Sequence, residues 1–314
     1  MTDTLERTVP LTGRALCADV SQEHLEPLGA TASRVDSWIL VEYRRLWARD
    51  PIRGSGFSDD VKAHLRRQLG ALPNSRLLFI RRPERREVPT LCVFYGRSLE
   101  ADHVLHALEI DDYEQLLDVD FARGPADEAA GHAVEHPLFV VCTHGKRDRC
   151  CAKYGRPLYD ELREQAEPDS VWQSTHVGGD RFAGNVVCLP RGLYFGRVER
   201  PQVRPLLDEY LAGRIQLEHY RGRSCHSFAV QAAERRVREE TGYVGLDDLW
   251  LLGHERGDDG CWTVRFRAAP TGDVHVVEVS GEAAGDPTYL TCSAPTPQRP
   301  RRHVATAHRI APPR

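Results

Sequence analysis

The stretch Val140–Gly184, VVCTHGKRDRCCAKYGRPLYDELREQAEPDSVWQSTHVGGDRFAG, decides how this chain is read. It opens on the end of an apolar strand-type run, Pro137–Cys142, passes through a helical segment near Arg156–Gln165, and closes on a second strand-type run, Ser170–Thr175. Soft and hard metal donors gather in the same stretch. Cys142 and Cys151 are separated by eight residues, Cys150 stands beside the second, and His176 and Asp180 lie on either side of Gly178-Gly179. Two thiolates with an imidazole suit zinc, or an iron–sulfur cluster in which nitrogen replaces part of the cysteine ligation. The competing reading is that small thiols and a strand histidine fill a core, and one cysteine pair at this separation matches no standard zinc-finger spacing.

Working outward, a strand pair at Asn185–Pro190 and Leu193–Arg197, turned by Arg191-Gly192, precedes a helix at Pro201–Ala212. A β-α-β-β-α order is the minimal thioredoxin-like layout. The same order stands upstream: a strand at Ser37–Tyr43, a helix from Ser58, strands at Ser75–Arg81, Thr90–Tyr95 and His103–Glu109, and a short helix around Tyr113–Leu117. Ser58 suits an N-cap, Asp59 and Asp60 suit the positive end of the helix, and Val61, Leu65, Leu69 and Leu72 make one apolar stripe. The first half therefore reads as a diverged copy of the second, on element order and not on identity. A linker rich in Gly, Ala and acids occupies roughly 122–136.

The last hundred residues or so differ in character. Ser227–Thr241 is an amphipathic helix with Gly242 as its C-cap, followed by strand-type runs LWLLGHER, CWTVRFRA, VHVVEVSG and PTYLTCSA. The closing PTPQRPRRHVATAHRIAPPR is rich in Pro and Arg and is expected to pack poorly. The expected fold class is α/β: tandem thioredoxin-like domains at 1–125 and 136–215, then a small C-terminal α+β module with a flexible tail at 216–314.

Composition narrows the function. With 41% hydrophobic and 28% charged residues in 314, the chain resembles an ordinary globular protein, and no run approaches the roughly 20 apolar residues that span a bilayer. The N-terminus has no apolar signal region, so a cytoplasmic location is expected and no membrane partner. Nine cysteines are too scattered and too odd in number for a disulfide framework, which leaves metal binding or redox chemistry as the use for a cluster among them. A net charge of −4 and the acids interleaved in the AERRVREE helix argue against a nucleic-acid partner. There is no phosphate-binding loop, nucleophile elbow or dinucleotide fingerprint, so nucleotide-driven and hydrolase chemistry have no support.

Within the cluster, Cys142 ends its strand and Cys151 opens the next helix, where backbone N–H groups and the dipole favour a thiolate. His144 and Asp148, inside the cysteine loop, are expected to orient it by hydrogen bonding. Gly178 and Gly179 let the backbone approach closely or adopt positive φ. Lys146, Arg147 and Arg181 surround the site with positive charge that suits an anionic redox partner, though ordinary solvation accounts for any one of them.

The chain resembles the sucrase/ferredoxin-like family through VCTHGKRDRCCAKYG at Val141–Gly155, STHVGGDRFAGN at Ser174–Asn185, LPRGLYFGRV at Leu189–Val198, and YRGRSC with the AVQAAE helix at Tyr220–Glu234. The resemblance implies a thioredoxin-like ferredoxin with a 2Fe-2S cluster held by two cysteines and two histidines, and an electron-transfer role with a redox protein as partner. The ligands carry over onto Cys142, Cys151, His176 and the position held here by Asp180. That position departs from the family's His-x-x-Gly-His, since this chain has His176-Val177-Gly178-Gly179-Asp180. Three outcomes follow: aspartate ligates the iron, Cys150 or Cys188 completes the site, or the cluster is lost. A zinc-binding or thiol-redox protein and a cluster-free scaffold of the same fold are the rival functions. The absence of a CxxC weighs against an ordinary thioredoxin, and no paired carboxylates support a glycosidase.

Overall fold

The computed structural model describes residues 15–123, 131–283 and 287–311. In the first half, β1 (Ser37–Glu42) is buried along its whole length. Helix α2 (Asp59–Ala71) follows, capped by the Ser58 side chain, which accepts from Val61 N at 3.2 Å. Its Val61 and Leu65 pack with Ile39 and Val41 of β1 and with Phe79, as the apolar stripe predicts. Strand β2 (Ser75–Arg81) returns parallel to β1, β3 (Leu91–Ser98) runs antiparallel to β1, and β4 (His103–Ile110) antiparallel to β3.

The second half repeats this. Strand β6 (Leu138–Cys142) leads through α3 (Arg149–Gln165) into β7 (Val171–Ser174), parallel to β6. Strands β8 (Val186–Leu189) and β9 (Leu193–Phe195) then run antiparallel, and α4 (Arg200–Leu211) closes the unit. Both halves place their strands in the order second, first, third, fourth, which is the thioredoxin-like core order. They are joined where β2 and β7 pair antiparallel, Ile80 opposite Ser174 and Arg81 opposite Gln173. With the short β5 (His132–Ala133) at one edge and β10 (Tyr220–Arg223) at the other, they form one ten-stranded sheet.

Period-two alternation gives that sheet two faces. Phe139 and Val141 of β6 face α3 and α4, in a core with Leu158, Leu162, Val203, Leu206 and Leu207. Leu138, Val140 and Cys142 face the other way, into a core shared with Trp38 and Leu40 of the first half. Ring pairs cross between the halves there, Trp38 with Tyr194 at 6.3 Å and Phe94 with Trp172 at 5.4 Å, so the sheet curls onto this face. The smaller sheet is an antiparallel meander of β11 (Leu249–Arg256), β12 (Trp262–Ala268), β13 (Val274–Ala283) and β14 (Arg301–Ala311). Helix α5 (Phe228–Thr241) packs on it through Ala229, Val230, Ala233 and Val237, with Gly242 at φ 76° ending the helix.

Several expectations are corrected. Helix α3 begins at Arg149 and not at Arg156, because Pro157 lies inside the helix and reads in sequence as a start. The segment 287–294 is no strand, being tied by an isolated bridge between Thr288 and Gln298. The tail instead supplies β14, which pairs with β13 along its length. Its Pro and Arg content hides a ladder whose backbone groups find partners whatever the side chains are. Residues 312–314 lie outside the described residues. Part of the expected linker is β5, and β10 extends the large sheet beyond residue 215. The expected helix at Tyr113–Leu117 is a 3-10 helix, Tyr113–Asp118. Helix α1 (Cys17–Glu23), in a region that sequence leaves unassigned, packs near the 3-10 turn Asp180–Phe182.

Candidate metal centre

The side chains of Cys142, Cys151, His176 and Asp180 come together at the C-terminal ends of β6 and β7 and the start of α3. Cys142 is the last residue of β6 and Cys151 the third of α3. The helix can approach because Gly155 lacks a side chain, and a Cβ there would stand 1.9 Å from the Cys142 carbonyl oxygen. Nδ1 of His176 lies 3.9 Å from Cys142 Sγ and 3.7 Å from Cys151 Sγ. Asp180 Oδ1 lies 2.9 Å from the same nitrogen and 3.5 Å from Cys151 Sγ. The thiols are buried and Asp180 is 3% exposed, whereas the His176 side chain, at 20%, forms the outer edge.

The loop between β7 and Asp180 is held from outside. Gly178 (φ 101°) and Gly179 (φ 80°) are left-handed, as their identity allows. The buried Arg221 guanidinium donates to the Gly178 carbonyl at 3.0 Å and to Asn185 Oδ1 at 2.8 Å, while Asn185 Nδ2 donates to the Gly179 carbonyl at 2.9 Å. A Cβ on Gly179 would stand 2.3 Å from an Arg221 nitrogen, so the loop and this arginine are packed against each other. Sequence reasoning passed over Arg221, although it lies in the YRGRSC motif.

The electrostatics mark a proton-sharing, donor-rich site. A hydrogen bond from Cys151 and contacts with His176 hold the Cys142 thiol well below its usual range, against burial. The hydrogen bond with Cys142 and burial, with the Asp180 charge adding, push Cys151 well above. Burial pulls His176 down, but its bonds to Asp180 and Cys142 and their charges outweigh it and raise the imidazole to about 9.

Other expected residues stand elsewhere. Asp148 caps α3, its Oδ1 accepting from Cys150 N at 2.9 Å, and faces Cys17 and Cys292 instead of this centre. Cys150 turns the same way, and Cys188 sits in the core on the opposite face of the sheet, so neither completes the set at His176. His144 packs edge-on to Trp47 with centroids 5.8 Å apart, its imidazole kept below the ordinary value by burial. Arg181 pairs with Glu26 at 2.9 Å and lies over Phe182.

The donor chemistry fits either of two occupants. Cys142, Cys151 and His176 lie within 4.8 Å of one another and Asp180 joins them through His176 and Cys151, so two thiols face an imidazole and a carboxylate, the two-plus-two donor set of a mixed-ligand 2Fe-2S cluster. The contacts between the pairs, 3.5–3.9 Å, match the donor–donor edges around a single tetrahedral ion, roughly 3.5–3.8 Å for metal–nitrogen and metal–sulfur bonds of 2.0–2.3 Å.

Fold and site thus define a tandem thioredoxin-like protein with a thiol, imidazole and carboxylate donor centre in its second half. The model of the sucrase/ferredoxin-like family matches residues 28–222, and the chain belongs to that family. It is similar to the proteins called Altered inheritance of mitochondria protein 32 of Debaryomyces hansenii (34% identical over 95 residues) and Meyerozyma guilliermondii (37% over 95). Each match covers 27% of this chain and about a third of the relative, 35% and 34% respectively. Among solved structures, a cysteine-to-serine variant of the thioredoxin-like 2Fe-2S ferredoxin from Aquifex aeolicus aligns at 17% identity and a TM-score of 0.24, covering 27% of this chain and 97% of that one.

Proposed function

We propose that Cys142, Cys151, His176 and Asp180 hold a 2Fe-2S cluster and that the protein passes single electrons to and from a redox protein. The observation that carries this is the convergence of Cys142, Cys151 and His176 from β6, α3 and the following loop, with Asp180 against His176 and Cys151. When bound, such a cluster supplies one-electron oxidation and reduction. The chain's own residues do the rest. Cys142 and Cys151 keep their side of the centre in the core and away from water, and Arg221 fixes the loop that presents His176 and Asp180. His176, the exposed edge, is where a partner protein would come closest.

A second reading, one zinc or iron ion at the same residues, is favoured by the donor spacing. An anaerobic preparation assayed for iron, zinc and acid-labile sulfide separates the two. Iron and sulfide in equal amounts, with a red-brown absorption lost in Cys142→Ser, supports the cluster. A colourless protein losing one metal ion in that variant selects the single ion, and one without metal at this centre overturns both. We also propose a cytoplasmic setting, where a reducing medium would keep the nine cysteines out of disulfides, as they are here. No described helix is long and apolar enough to cross a membrane.

A further inference from the structure

Cys150 and Cys151 are consecutive on α3, and side chains one residue apart on a helix diverge by about 100°. Cys151 turns to His176, and Cys150 turns to a different group of donors brought from the two ends of the chain. Its Sγ lies 3.5 Å from Cys17 Sγ and 3.3 Å from Cys292 Sγ, and the triangle closes with 3.6 Å between Cys17 and Cys292. Asp148 stands against it, with Oδ1 and Oδ2 at 3.9 and 4.0 Å from Cys17 Sγ. Cys17, Cys150 and Asp148 are buried.

We infer that Cys17, Cys150, Cys292 and Asp148 form a second metal site, occupied by one zinc ion held by three thiolates and a carboxylate. The triangle's edges are slightly shorter than the roughly 3.8 Å expected between sulfurs bonded at 2.3 Å to one tetrahedral ion. An ion at that bond length stands about 1 Å above the plane of the three sulfurs, leaving one position for the carboxylate.

The surroundings are those of a thiolate site. Backbone N–H groups point at the sulfurs, Ala18 N to Cys150 Sγ at 3.4 Å and Cys17 N to Cys292 Sγ at 3.5 Å, which offsets anionic charge on sulfur. Asp148 is itself oriented by N–H donors from Cys150 at 2.9 Å and Cys292 at 2.6 Å. Leu16, Ala18, Ala183 and Tyr289 pack around the group and restrict water. The consequence is structural: one ion ties α1, the start of α3 and the segment after β13 together, joining elements far apart in sequence.

The test uses the full chain, purified under reducing anaerobic conditions, with metals determined by mass spectrometry. Wild type and Cys142→Ser are expected to carry one zinc at this site, and Cys17→Ser and Cys292→Ser to lose at least nine-tenths of it. Because Cys142→Ser removes the first centre, the result is independent of what that centre holds. To guard against misfolded variants, Cys142→Ser stripped of zinc is titrated with cobalt(II), and the intense near-ultraviolet absorption of a tetrahedral three-thiolate site is expected. Absence of that absorption, zinc retained in both Cys17→Ser and Cys292→Ser, iron in place of zinc, or a disulfide among the three cysteines in reduced preparations would each overturn the assignment.

Discussion

Glu42 and Cys142 hold the same place in the two halves of the large sheet. Glu42 ends β1 opposite Ile80, Cys142 ends β6 opposite Ser174, and Ile80 and Ser174 pair with each other at the junction. In the first half this position is a buried carboxylate bonded to Arg44 at 2.8 Å, Arg85 at 3.0 Å and the Cys92 N–H at 3.0 Å. In the second it is a buried thiol facing Cys151 and His176. One half neutralises the strand end with its own arginines. The other surrounds it with a second thiol and an imidazole. Both corners carry a polar group paired inside the core, by arginines in one half and by a thiol and an imidazole in the other.

The strongest challenge to this contrast is at the thiols. Cys142→Ser and Cys151→Ser are each expected to abolish metal retention at the first centre, whereas Glu42→Gln leaves it intact; metal content per chain checks both. If Glu42→Gln also empties the centre, the two corners are not independent.

Gly155→Ala comes next. The added methyl group meets the Cys142 carbonyl, so α3 must move, with an expected loss of about 3 kcal/mol in unfolding free energy together with weaker metal retention. Denaturant titration of the metal-free protein isolates the packing part.

Glu42→Gln itself is expected to cost about 2 kcal/mol, since Arg44 and Arg85 lose their charge partner but keep some access to water. The smallest effect is at Asp180→His. Metal is retained, and if the occupant is a 2Fe-2S cluster, neutral imidazole in place of carboxylate raises its reduction potential, read by voltammetry. An unchanged potential would mean that Asp180 serves His176 and does not touch metal.

Much of this was legible because it is local. Ser58, the two aspartates after it and the stripe through Val61 and Leu65 specify α2, and the short apolar runs Ser37–Tyr43 and Pro137–Cys142 read as strands, which the structure buries on both faces. The donors Cys142, Cys151, His176 and Asp180 were legible as a set through the family resemblance, since their spacing alone also allowed core thiols and a strand histidine. Cys17 and Cys292 were not, because nothing near either in sequence hints at a partner on the other side of the fold. Arg221 was missed for the same reason: its bonds go to Thr31, Gly178 and Asn185, none a sequence neighbour. Pro157 and the Pro- and Arg-rich tail misled because composition is a weak guide where tertiary hydrogen bonding decides.

By itself the sequence determined the repeated β-α-β-β order, the amphipathic α5 and the residue types available for metal chemistry, all consequences of short-range periodicity and capping. Only the tertiary structure decided which donors stand together. The curl of the joined sheet and the close approach that Gly155 permits send Cys151 to His176, and Cys150 to the two ends of the chain.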